Sequence, residues 1–277
     1  MRSFFLLISC VFLLASNLSA QVVGYYRQPD IHGDRVVFSS EGDIWSVAAG
    51  GGVAVRLTTH DGEESWPFYS PDGSQIAFRA RYEGSPDVYV MPAMGGVPRR
   101  ITWESRGASQ PVGWTDDGHV IVRRASAFGV PNFRLTVVDP ETAVSTDIPL
   151  AQAAEGSFSQ DGSLFFARMP RQRSNSRWYK GGTAQQLWKF TPGGSEAEPL
   201  TRDYPGSSRQ PVVMGNERVY FLSDRVGAMN VWSMNTDGAD LLQHTTLKDW
   251  DIQELSGDGT TLVYRLGADL WTLDPES

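Results

Sequence analysis

One strand-turn-strand unit recurs along this chain with a period of about 44 residues, and a repeat of that length restricts the architecture more than any other feature. Its centre is a short apolar core: Arg35-Val36-Val37-Phe38, then Gln75-Ile76-Ala77-Phe78, His119-Val120-Ile121-Val122, Leu164-Phe165-Phe166-Ala167, Arg218-Val219-Tyr220-Phe221 and Leu262-Val263-Tyr264-Arg265. A tight-turn signal precedes each core: His32-Gly33-Asp34, Pro71-Asp72-Gly73, Asp116-Asp117-Gly118, Gln160-Asp161-Gly162, Gly215-Asn216-Glu217 and Gly257-Asp258-Gly259. Asp-Gly supplies the positive φ that short hairpins require. A second short strand follows each core, usually with an aromatic residue: Asp43-Ile44-Trp45, Asp87-Val88-Tyr89, Leu135-Thr136-Val137, Gln186-Leu187-Trp188, Asn230-Val231-Trp232 and Asp269-Leu270-Trp271. A Gly-rich turn and a further strand ending in Leu-Thr or Ile-Thr often come next, as at Arg56-Leu57-Thr58, Arg100-Ile101-Thr102 and Pro199-Leu200-Thr201.

No stretch carries a helical apolar stripe. Short strands, frequent turns and this period together predict an all-β fold, a six-bladed β-propeller with one four-stranded sheet per period. The alternative, a β-sandwich, would have to produce six copies of one unit by accident. The periods begin near Gly24, Pro67, Pro111, Glu155, Pro211 and Leu255. The repeated tryptophans and tyrosines are then packing between blades rather than a ligand stripe. The sixth period stops just after its aromatic strand, at Leu273-Asp274-Pro275-Glu276-Ser277. The last blade is therefore incomplete, unless the segment from Val22 to Tyr26 closes it. An unfinished sheet edge invites pairing with another chain, and the preferred expectation is a fragment of a longer protein.

Residues 1–20 have a different character. Arg2 precedes an apolar run from Phe4 to Ala15, and a short polar stretch ends in Ser19-Ala20. That is the layout of a secretory signal peptide, too short for a comfortable membrane span. Leu7-Ile8-Ser9-Cys10 offers a lipoprotein box as an alternative, although the apolar run continues past Cys10. Cleavage after Ala20 removes Cys10, the one cysteine of the chain. The propeller then occupies residues 21–277, and a cysteine-free chain suits an oxidising compartment, expected to be the periplasm.

Charge narrows the partners. The 24 basic residues face 32 acidic ones, for a formal net charge of −8, whereas nucleic-acid binding needs a basic face. Only Lys180, Lys189 and Lys248 are lysines, so the positive charge is almost all arginine.

The repeat Pro67-Phe68-Tyr69-Ser70-Pro71-Asp72-Gly73-Ser74-Gln75-Ile76-Ala77-Phe78, with Asp87-Val88-Tyr89-Val90-Met91 and Arg99-Arg100-Ile101-Thr102 after it, resembles that of TolB-like propellers. Two other stretches are more specific. Pro29-Asp30-Ile31-His32-Gly33-Asp34-Arg35-Val36-Val37-Phe38, followed by Gly42-Asp43-Ile44-Trp45, resembles the opening of the tricorn protease family. Arg177-Trp178-Tyr179-Lys180-Gly181-Gly182-Thr183-Ala184, followed by Leu187-Trp188, resembles that family's fourth-blade insertion. The resemblance covers residues 24–277 and corresponds to the family's N-terminal six-bladed propeller. It implies a large serine peptidase with a second, seven-bladed propeller, a PDZ-like domain and a catalytic core further along the parent chain.

The residues here offer little chemistry of their own. His32 and His119 fall in or beside hairpin turns, and His60 and His244 fall near the ends of outer strands. There is no Gly-x-Ser-x-Gly elbow, no His-Glu-x-x-His and no calcium loop. No catalytic, metal or cofactor residue is nominated. The recurring Asp-Gly carboxylates are turn residues. The sialidase Asp-box also lives on propeller turns, but Ser70-Pro71-Asp72-Gly73 lacks its downstream tryptophan.

One segment departs from the acidic background. From Arg168 to Lys180 it carries Arg171, Arg173 and Arg177 beside Trp178 and Tyr179, and no acid. It reads either as a solvated hairpin of blade four or as a docking surface for carboxylates or a peptide terminus. Arg106, between blades two and three, is a second candidate contact near the channel mouth. Taken together, the expectation is a non-catalytic module of a tricorn-like secreted peptidase. It would gate peptide or product passage and dock the downstream peptidase domains, with a homo-oligomer as a further option. The chain has neither a membrane span nor a nucleic-acid partner in this reading. Two alternatives use the same ring: a free-standing TolB-like interaction propeller, and the propeller of a prolyl-oligopeptidase-like hydrolase.

Overall fold

The computed structural model describes residues 24–104, 109–125, 133–170, 179–215 and 217–276. Every regular element in it is a strand. Blade one comprises β1 (Arg27–His32), β2 (Arg35–Ser40), β3 (Asp43–Ala48) and β4 (Val55–Arg56), and blade two β5 (Glu64–Tyr69), β6 (Gln75–Ala80), β7 (Asp87–Pro92) and β8 (Arg99–Arg100). Blade three holds β9 (Gln110–Trp114), β10 (Val120–Ala125), β11 (Phe133–Val138) and β12 (Ser145–Asp147). Blade four holds β13 (Glu155–Phe158), β14 (Leu164–Ala167), β15 (Leu187–Phe190) and β16 (Glu198–Pro199). Blade five holds β17 (Ser208–Val213), β18 (Arg218–Val226), β19 (Ala228–Asn235) and β20 (Leu242–Gln243), and blade six β21 (Ile252–Gly257), β22 (Leu262–Leu266) and β23 (Asp269–Leu273). Each sheet is an antiparallel meander in chain order, and the sixth has three strands among the described residues. The fold is thus the expected six-bladed β-propeller.

The central strands are apolar on both faces because each is sandwiched between two neighbouring blades. Val37 packs with Tyr69, Ile76 and Phe78 of blade two, while Val36 and Phe38, one residue away on either side, pack with Val263 of blade six. Contacts between β1 and β21 close the ring. The recurring aromatic residues do pack: Tyr89 and Trp232 are buried, and Trp45 and Trp188 lie half-buried against core clusters. Trp271 is the exception at 51% exposed, because no fourth strand lies beside β23 among the described residues. Residues 24–26 do not supply that strand. Tyr26 gives one backbone hydrogen bond to Ala268 at 3.3 Å, and Tyr25 O receives one from the Ser40 hydroxyl at 3.4 Å.

The outer strands are held by a repeated threonine. Thr102 Oγ1 receives the Val88 N–H at 2.9 Å and donates to Asp87 at 2.8 Å, both buried. Thr102→Val leaves that N–H and that carboxylate short of a partner. We expect a loss of about 1–3 kcal/mol in urea titrations, against almost none for the exposed control Thr260→Val.

Candidate functional site

The innermost strands of all six blades enclose an axial cavity of about 550 Å³. Its two ends differ in charge. At one end lie the hairpin turns that follow the inner strands, with Asp116, Asp258 and Gln160 on the wall. The turn carboxylates are spent on local geometry. Asp72 accepts from the Ser70 and Ser74 hydroxyls and the Ser74 N–H, and these bonds hold its pKa at about 2. Asp258 accepts the Gly33 N–H across the seam between blades six and one at 2.9 Å. The other end lies where the blades are joined, and carries Trp66, Gln110, Arg123, Glu155 and Gln210.

Arg123 dominates that second end. One guanidinium nitrogen donates to Gln110 at 2.6 Å, and the group lies 4.7 Å from the Phe133 ring centre. Its Nε is buried without a hydrogen-bond partner among the described residues, as is that of Arg79. Burial lowers the Arg123 pKa; Glu155 opposes that shift and the like charge of Arg79 adds to it. Arg79, Arg123 and Arg265 hold one phase of the repeat, each directly after the last large inward residue of its central strand. Arg265 is neutralised by a bidentate pair with Glu254. Arg79 and Arg123 make no ion pair within salt-bridge distance among the described residues, and Glu155 shares the cavity wall with Arg123.

The inner strands reach this geometry through bulges. The pairing of β1, β5 and β17 with the next strand shifts after Arg27, Ser65 and Arg209. The bulged residues Gln28, Trp66 and Gln210 have φ of +53°, +58° and +51°, a costly conformation for side chains of this size. Hydrogen bonds between blades hold them: the Trp66 N–H donates to Gln28 at 3.2 Å, and the Gln210 N–H to Glu155 at 2.9 Å.

Of the residues singled out in the sequence, Arg106 lies outside the described residues, and so do Arg171, Arg173, Arg177 and Trp178. Tyr179 is exposed, and its hydroxyl receives a hydrogen bond from Thr183 at 3.0 Å. Arg168, where the basic segment begins, donates to Gln152 at 2.7 Å and lies over Trp188. Sequence reasoning missed Arg79 and Arg123, because neither stands in a basic run. The signal for those two was their shared phase in the repeat.

One serine-histidine contact invites a catalytic reading. Ser233 Oγ and His244 Nε2 are 2.8 Å apart. Ser233 is fully buried and also receives the Arg218 Nε–H at 3.1 Å. Blade one repeats this arrangement without a histidine, with Arg35 donating to Ser46 and Tyr69 in place of His244. The contact is therefore part of the blade's frame. Among the described residues no group of three or more His, Cys, Asp or Glu side chains could hold a metal ion.

The profile of the tricorn protease N-terminal beta propeller domain matches residues 23–277. The chain belongs to that family. It is 31% identical over 253 residues to tricorn protease homolog 1 of Streptomyces coelicolor, covering 90% of this chain and 23% of that one. The crystal structure of the tricorn protease superposes with a TM-score of 0.77 at 26% identity, covering 91% of this chain and 25% of that one. A TolB protein of Agrobacterium tumefaciens superposes with a TM-score of 0.65 at 21% identity, over 79% of this chain and 80% of its own, which shows a shared fold alone. The chain thus spans about a quarter of the length of the tricorn relatives it matches.

Proposed function

We propose that the ring is a non-catalytic module of a larger tricorn-like serine peptidase, gating peptides or products along its axis and docking the remaining domains on its faces. The observation that carries this reading is the cavity itself. It is walled by the inner strands of all six blades and carries Arg123 and Glu155 at one end. A rigid ring of that bore suits an extended peptide and excludes a folded chain. Buried guanidinium groups with unused donors suit carboxylates, which they grip in bidentate fashion. No helix of the described residues is long and apolar enough to cross a membrane. The leader-like residues 1–20 favour export to the periplasm.

Fluorescence anisotropy with a labelled acidic hexapeptide tests the reading on this chain. Arg123→Met should weaken binding about tenfold, as loss of a charge-assisted hydrogen bond implies. The effect should shrink at high salt. Equal affinity of parent and variant at low salt contradicts the assignment of the rim.

The basic segment is proposed as a docking surface for a carboxylate-rich domain, subunit or peptide end. Replacing Arg171, Arg173 and Arg177 with serine should leave the melting temperature nearly unchanged. The same change should weaken assembly of the full-length protein, more at low salt than at high salt. Unchanged assembly at low salt leaves only a solvated loop.

A further inference from the structure

Four inner strands share one step, a long polar or aromatic side chain followed by proline: Gln28-Pro29, Trp66-Pro67, Gln110-Pro111 and Gln210-Pro211. Proline has no N–H, so the inner strands are short of main-chain donors there. The side chains in front of the prolines supply donors instead. Trp66, Gln110 and Gln210 line the cavity at the end where the blades are joined, together with Arg123 and Glu155.

The protein fixes which way the two amides point. Gln110 Oε1 accepts from Arg123 at 2.6 Å, and Gln210 Oε1 accepts from Arg209 at 3.2 Å. A guanidinium only donates, so each carbonyl oxygen must face its arginine and each NH2 group must face elsewhere. Neither NH2 group has a partner among the described residues, and nor has the indole N–H of Trp66. Arg123 Nε is a fourth unused donor. Glu155 is the side-chain acceptor beside them. One of its oxygens takes the Gln210 N–H at 2.9 Å, and the other has no partner among the described residues. Its negative charge offsets that of Arg123.

Four donors and one free acceptor, with opposed charges, select a ligand by hydrogen bonding more than by charge. A phosphate gains little beside Glu155, because that carboxylate repels it. A sugar hydroxyl brings a donor of its own into a set already rich in donors. A main-chain carbonyl is a pure acceptor, and an extended peptide presents one per residue with an N–H nearby. We propose that this end of the cavity is a seat for the peptide main chain. Trp66, Gln110, Gln210 and Arg123 donate to carbonyl oxygens and Glu155 accepts an N–H, so that peptides bind whatever their side chains. The proposal rests on the reading of the cavity as a peptide passage and adds what that passage recognises.

Fluorescence anisotropy with a labelled, end-capped hexapeptide of alanine and serine, which carries no charge, tests it on the 277-residue chain. The peptide should bind, with an affinity that changes by less than about twofold between low and high salt. Gln110→Met and Gln210→Met should each weaken binding about fivefold, the loss of one neutral hydrogen bond. A second readout leaves the protein untouched and decides the matter even if a variant fails to fold. Replacing the two central amides of the peptide by trans-alkenes of the same shape removes their carbonyls and N–H groups, and should weaken binding about tenfold or more. Binding that is indifferent to both glutamine changes, or to the alkenes, overturns the proposal. Failure of the neutral peptide to bind where an acidic hexapeptide does bind also overturns it, and leaves the passage standing. If neither peptide binds, the reading of the passage falls, and the proposal with it.

Discussion

At about pH 4, Asp30→Ala should lower the stability of this ring by about 2–4 kcal/mol, the largest effect expected of a single side chain here. Asp30 is 5% exposed and stands on the inner strand of blade one. One carboxylate oxygen accepts the Tyr69 N–H of blade two at 2.7 Å, and the other accepts the Ser256 hydroxyl of blade six. One side chain thus ties three blades at the seam where the first meets the last. No strand is exchanged across that seam among the described residues, so the pin carries more than its share of ring closure.

The pin also has a pH dependence of definite sign. Burial raises the Asp30 pKa to about 7 from 3.8, against the hydrogen bonds that lower it. The folded state therefore binds this proton more tightly than the unfolded chain. Its contribution to stability is fully present below about pH 4 and is lost as pH rises toward 7. The slope within that window is at most about 1.4 kcal/mol per pH unit. An asparagine at this position would be neutral, with an oxygen for the Tyr69 N–H and an amide donor for Ser256. Asp30→Asn should match the parent at about pH 4 and exceed it by a margin that grows up to about pH 7 and is kept at pH 8, because other titrating groups cancel in the comparison. A constant difference across that range would contradict the assignment.

Gly73→Val should be the second large effect. Gly73 closes the blade-two hairpin at φ +69°, where a β-branched residue is strained by about 1–3 kcal/mol. A Cβ there would also lie 2.3 Å from the His32 ring, which must move off the cavity wall. Gly162 has φ +79°, but its nearest neighbour, Pro192, would be 3.2 Å away. Thermal melts should therefore rank Gly73→Val below Gly162→Val, and both below the parent. Equal melting temperatures for the two variants would show that the His32 contact costs nothing.

The architecture was legible because it rests on local chemistry repeated six times. The turn signals at Asp72-Gly73, Asp161-Gly162 and Asp258-Gly259 all close hairpins. The apolar cores all become central strands for one reason, burial against a blade on each side. The cavity rim was less legible. Gln28 and Trp66 precede prolines, a position that ordinarily favours extended backbone, yet both adopt positive φ. That choice depends on hydrogen bonds from neighbouring blades and leaves no local trace. Asp30 lies within the stretch that resembles the tricorn opening, but its partners Tyr69 and Ser256 are 39 and 226 residues away in the chain. Arg79 and Arg123 were readable only by comparing phases between blades.

A peptidase assay run beside a binding assay tests the central claim most directly. The purified 277-residue chain is mixed with a panel of fluorogenic peptides, and binding and cleavage are followed on the same samples. The account predicts salt-sensitive binding that weakens with Arg123→Met, and no cleavage above the blank. Cleavage that follows the protein through repurification and disappears with Ser233→Ala would contradict it, because Ser233 and His244 would then be chemistry rather than frame.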